Sequence, residues 1–207
     1  MKTISNIFAV FSLLVSNLIP LFGVIYFHWN VFSLMVLYWL ENVLIGVFTV
    51  QKMKRAEAGN LDSVQAERSF FIPFFTIHFG MFTLVHGIFV LIFFYSPEAS
   101  LWGIFLTFLS MCLSHFISYQ TNYLGRGEYL HTSVERLFIS PYPRVIVMHL
   151  TVILGGFFVL SNHSVYALVI LVILKTLADL GSHLFEHRLA EARIGNSVGF
   201  TGKVKSK

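Results

Sequence analysis

Eight ionisable side chains interrupt otherwise apolar runs of this 207-residue chain: Glu41, His78, His86, His115, His149, Lys175, Asp179 and His183. In hydrocarbon each such group costs about 2.5–3.5 kcal/mol on insertion scales, so a chain that keeps them turns them inward, toward partners or substrate. Imidazoles joined by one or two carboxylates are the ligand set of zinc or non-haem iron. The same groups also pass protons. Glu41, His78, His149, Asp179 and His183 form the candidate metal set, with Glu41 as either ligand or catalytic general base. Each histidine equally allows a plain hydrogen bond to a neighbouring backbone.

Spacing refines this list. Lys175 and Asp179 stand four apart, where a helix pairs them across one turn. His183, Glu186 and His187 have the His-x-x-Glu-His spacing of the inverted zincins, in which two imidazoles one turn apart hold the metal. The same residues also suit a solvated helix end. His78 and His86 stand eight apart, about 12 Å along a helix, too far to share one ion. Glu128, His131 and Glu135 fall at helical spacing and read as a polar interfacial helix, because a di-metal carboxylate site needs a second Glu-x-x-His that is absent here.

The elements that must position these groups follow from composition. Apolar residues make up 56% of the chain and charged ones only 12%, half the share of a soluble domain. The apolar residues gather into runs of roughly twenty, enough to cross about 30 Å of hydrocarbon. Six spans are expected, at 4–27, 31–51, 70–95, 101–123, 144–161 and 165–185. The fold is therefore an all-α polytopic membrane helix bundle. Residues 1–188 form its transmembrane domain, and 189–207 a cytoplasmic tail expected to stay unfolded. No small-residue cleavage site follows the first run, which is expected to remain as a span.

Connections after the first, third and fifth spans are short and lack Lys and Arg, whereas those after the second and fourth are longer and charged. All 14 Lys and Arg except Lys175 fall on one side of this scheme, which places that side and both termini in the cytoplasm. The same bias accounts for the net charge of +4 without a nucleic-acid partner. The single Cys112 excludes an intrachain disulfide. No nucleotide-binding loop, covalent-haem motif or nucleophile elbow is present.

Counted from the cytoplasmic end of each span, Glu41, His78, His115, His149 and Asp179 fall in a slab on the order of 8 Å thick. His86 is left near the outer face.

The blocks "YWLENVLIGVFTVQKM", "IPFFTIHFGMFTLVHGIF", "SHFISYQTNYLGRGEY", "PYPRVIVMHLTVILGG" and "LKTLADLGSHLFEHR" carry a resemblance. The chain is similar to an uncharacterised bacterial membrane family, domain-of-unknown-function family 6498. The resemblance implies a multi-pass protein of the bacterial inner membrane whose shared blocks contain Glu41, His78, His86, His149, Asp179 and His183. It brings no reaction with it. The residues themselves lead to a zinc or iron site in the cytoplasmic half of the bilayer, which as an enzyme acts on an apolar or lipid-like substrate. The alternative is a proton- or ion-coupled transporter or channel that uses the same residues as a relay. A third reading, a scaffold for other membrane proteins, asks nothing of them.

Overall fold

The computed structural model describes residues 30–160 and residue 173. The expected first span and nearly all of the sixth lie outside those residues, and with them Lys175, Asp179, His183 and the tail. The regular secondary structure of the described residues is helical, joined by short connections. Four of their helical segments are long and apolar enough to cross a membrane.

Helix α1 runs Val31–Arg55. Asn30 starts it by accepting the Phe32 amide at 2.9 Å, and its own amide donates to Ser96 at 2.7 Å, tying the start of α1 to the end of the next helix. Lys52, Lys54 and Arg55 close the last turn, where cations complement the helix dipole. Helix α2, Leu61–Phe94, is 34 residues long. It begins nine positions before the expected span, because Leu61–Ser69 continue the helix beyond the apolar stretch. Pro73 marks the place where that stretch begins.

Helix α3, Leu101–Ser118, is capped by Ser100, which accepts the Gly103 amide at 3.1 Å. It passes into a wider π-helical turn, Tyr119–Leu124, which turns Tyr123 into the protein. A 3₁₀ turn at Glu128–Leu130, helix α4 (Val134–Ile139) and helix α5 (Tyr142–Leu160) complete the order. Glu128 and His131 therefore do not share an α-helix. Gly127 takes a left-handed φ of 71° and Ser133 starts a new helix, so the helical spacing of these residues is broken between them.

Helices α1 and α2 form the central antiparallel pair. Two close approaches set their register. A Cβ at Gly46 would stand 2.6 Å from the Phe79 ring, and one at Gly87 would stand 2.6 Å from the Trp39 indole. Helix α5 packs on α2, and α3 on α1. The core has two parts, toward opposite ends of the bundle, and the end that carries the 124–142 segment is termed the inner one. Phe32, Met35, Tyr38, Val90, Phe94, Val147, Met148 and Val152 fill the outer one. In the inner one the segment 124–142, expected as a connection with a polar interfacial helix, supplies Val134 and Leu137 against Met53, Val64, Phe75 and Phe79. Phe138 of α4 lies against Phe71, Phe74 and Phe75, so this segment fills the inner end of the bundle. Helix α5 consequently begins well above that end. Among the exposed residues are many large apolar ones, Ile77 and Trp102 for example, as lipid contact requires.

Candidate functional site

The polar side chains of α2 and α5 meet in two rungs. His78 Nδ1 lies 3.0 Å from the Tyr142 hydroxyl. Eight positions further along α2 and seven along α5, His86 Nε2 lies 2.9 Å from His149 Nδ1. Those steps are about 12 Å and 10.5 Å, so the helices run parallel and nearly in step. His86 is 3% exposed, whereas His149 is exposed. One ring nitrogen must donate and the other accept, and the tautomers decide which.

The backbone around His86 is held from the α1 side. The Trp39 indole N–H donates to the Thr83 carbonyl at 2.7 Å, one turn before His86. The same indole lies over Gly87, so α2 reaches α1 only because position 87 carries no side chain. An apolar groove of about 310 Å³ runs from Trp39 toward the inner end, between Val43, Gly46 and Val47 on one side and Phe79 and Gly80 on the other. Among the described residues no ionisable side chain lines it.

Glu41 faces a different way. Its Oε1 lies 3.6 Å from the Arg144 guanidinium, with the two side chains 21% and 46% exposed. Arg144 belongs to the first turn of α5, whose positive dipole end also favours a carboxylate. His115 of α3 stacks on Phe48 and lies within electrostatic reach of Glu41, Arg144 and Lys52. The carboxylate in the middle of α1 is thus compensated by a cation from another helix.

Of the candidate metal set, Glu41, His78 and His149 are described, and each has a different partner: Arg144, Tyr142 and His86. Among the described residues no three His, Cys, Asp or Glu side chains come close enough together to hold an ion. Asp179 and His183 lie outside the described residues. Counting depth from the bilayer edge separated His86 from His149. That count started α5 at the same plane as the other spans, whereas the packed segment 124–142 lifts its start to the height of His78. It also took Arg144 only as the charge that begins a span, whereas Arg144 stands beside Glu41. One sequence signal pointed to the pair: His78 and His86 are spaced almost as Tyr142 and His149 are.

A model of a family of unknown function, DUF6498, matches residues 2–195, and the chain belongs to that family. No curated protein and no solved structure matches it.

Proposed function

We propose that this member of the DUF6498 family is a six-span protein of the bacterial inner membrane, with both termini cytoplasmic, that moves protons, alone or coupled to another solute. Residues 1–188 form the transmembrane domain and 189–207 a cytoplasmic tail. The reading rests on one observation: two imidazoles from different helices, hydrogen-bonded at 2.9 Å between apolar surfaces. Such a pair can pass a proton without either ring leaving its place. With His149 donating from Nδ1, a proton arriving at its Nε2 makes the ring a cation. The Nδ1 proton then crosses to His86 Nε2, and His86 releases its own proton from Nδ1. Rotation of both rings about their Cβ–Cγ bonds then resets the pair, since moving the protons back in place would only reverse the transfer. The break between α4 and α5 supports the same reading, since discontinuous helices line the binding sites of many transporters.

The test is proton flux in liposomes. Flux in the parent that is lost in His86→Ala and His149→Ala supports the proposal. Flux that survives either substitution rejects it.

The same pair also favours a second reading. Two imidazole ligands of one tetrahedral zinc, bound at about 2.0–2.1 Å, stand only a few tenths of an ångström further apart than these nitrogens. Asp179 and His183 would complete that zinc or iron site, and the groove beside Trp39 would admit an apolar substrate. Glu41 and His78, engaged elsewhere, drop to its periphery. Elemental analysis of purified protein decides: stoichiometric metal lost in His149→Ala favours this reading over the relay.

A further inference from the structure

The His86 ring is 3% exposed, and its Nε2 is taken by His149. A proton that leaves the ring must therefore leave from Nδ1, to a receiver inside the protein. A helical side chain leans toward the N-terminus of its helix and covers the turn before it. For His86 that turn carries Thr83, three positions earlier on the same face of α2.

Thr83 differs from the exposed threonines of these helices. Thr76, Thr107 and Thr121 each donate to the carbonyl four residues back at 2.8 Å, which closes the hydroxyl on its own helix. Thr83 Oγ1 makes no such bond. It is buried without a hydrogen-bond partner, and so is Asn42 Oδ1. The Asn42 side-chain N–H donates to the Tyr38 carbonyl at 2.9 Å, which leaves the amide oxygen to accept from another donor. The two residues are only 4% and 8% exposed, Asn42 and Thr83 respectively.

They also stand at one level. Gly46 meets Phe79 across the antiparallel α1–α2 pair. Four positions back along α1 and four forward along α2 lead to Asn42 and Thr83. The Trp39 indole, three positions from Asn42, reaches the Thr83 carbonyl at 2.7 Å and holds the same register. A buried polar atom left without a partner costs about 1–3 kcal/mol. One water between these two removes that cost at both, since a buried water makes about two to four hydrogen bonds. Thr83 also lines the groove beside Trp39, whose volume of about 310 Å³ far exceeds the roughly 10–15 Å³ that one water needs. The rest of that lining is almost wholly apolar, so the polar anchor lies at its Thr83 end.

We infer that Asn42 and Thr83 hold a water molecule beside His86, and that this water receives the Nδ1 proton, a role that rests on the relay proposed above. In the step the Nδ1–H bond breaks and an O–H bond forms, leaving His86 neutral. Asn42 Oδ1 and Thr83 Oγ1 accept from the resulting hydronium. One of its three protons then passes to water in the groove, and the bound water is left as it began.

Water-edited solid-state NMR on protein with ¹⁵N-labelled histidine and asparagine in bilayers tests the site, with proton flux read in the same membranes. Magnetisation should pass from water to the His86 ring and the Asn42 side chain in the parent and in Thr83→Ser, which keeps the hydroxyl. Thr83→Val keeps the shape and removes the hydroxyl. It should lose the transfer at His86, and flux with it, while the correlation between His86 Nε2 and His149 Nδ1 stays as proof of the fold. Asn42→Leu removes the other anchor and should lose the same signal. Thr76→Val, where the hydroxyl is already closed on Ile72, should change neither readout. No transfer to His86 in the parent, or undiminished transfer in both Thr83→Val and Asn42→Leu, overturns the site, and flux that persists there leaves the relay intact. Transfer that depends on both anchors in a protein without flux sinks the relay and leaves the water site standing.

Discussion

The inner end of the bundle and the α2–α5 seam both bury polar side chains, but they satisfy them differently. At the inner end the Tyr123 hydroxyl donates to the Lys52 carbonyl at 2.8 Å and the Arg68 guanidinium donates to the Ala56 carbonyl at 2.7 Å. The Glu57 amide donates to the Tyr129 carbonyl at 2.8 Å. The acceptors are all backbone, among them the carbonyl of Ala56, the residue that ends α1, and that of Lys52, which also accepts the Ala56 amide. A carbonyl does not titrate in the physiological range, so these bonds fasten the cap and do little else. Along the seam, side chain meets side chain: imidazole with imidazole, imidazole with phenol, and, beside them, carboxylate with guanidinium. Such pairs can move a proton or change partner while the backbone stays in place. Polar burial at the first region is architecture. At the second it is capacity for chemistry.

Substitutions can break that contrast or sharpen it. Tyr123→Ala should have the largest effect on stability. It removes a fully buried ring and a bond to a helix end, a loss of about 3–5 kcal/mol by analogy with aromatic-to-alanine changes in cores. Denaturant unfolding in detergent would show it, while flux per folded molecule should remain. Gly87→Ala comes next. Its new methyl group meets the Trp39 indole at 2.6 Å, an overpacking worth about 1–3 kcal/mol, and it acts in the turn that carries His86. Both stability and flux should fall, and flux unchanged at the lower stability would detach Trp39 from the placement of His86.

His149→Ala should reverse the pattern seen for Tyr123. The residue is exposed, and its loss costs about one hydrogen bond, on the order of 1 kcal/mol, with its buried partner left unpaired. Flux should nevertheless disappear. Gly80→Ala should be the mildest. A Cβ there meets nothing within 4 Å, so melting should move by no more than about 1 kcal/mol equivalent, upward if helix propensity counts. A marked loss in this variant would mean that the groove beside Gly80 is filled in the membrane.

Much of this molecule could be read locally. Runs of apolar residues specify helices and membrane. The list of intramembrane ionisable groups needs only hydropathy to expose it. Pairing could not be read that way. His86 seemed isolated because depth was counted along each span by itself, and Glu41 seemed to point toward histidines. In the structure it pairs with Arg144, a residue that had counted only toward the charge bias of the connections. The segment 124–142 is polar enough to pass for a loop, and only its burial of Val134 and Leu137 shows that it belongs to the bundle.

The sequence by itself determined what the chain is made of: helices, their approximate ends, a membrane environment, and a small set of costly charges that must find partners. Those properties are sums over neighbouring residues. The tertiary structure alone decided who the partners are. Helix register depends on contacts such as Gly46 with Phe79 and Gly87 with Trp39, far apart along the chain. It also depends on how deeply a packed segment intrudes before the next helix begins. A shift of one turn, about 5.4 Å, exchanges every partner along a seam, and hydropathy does not register a shift of that size.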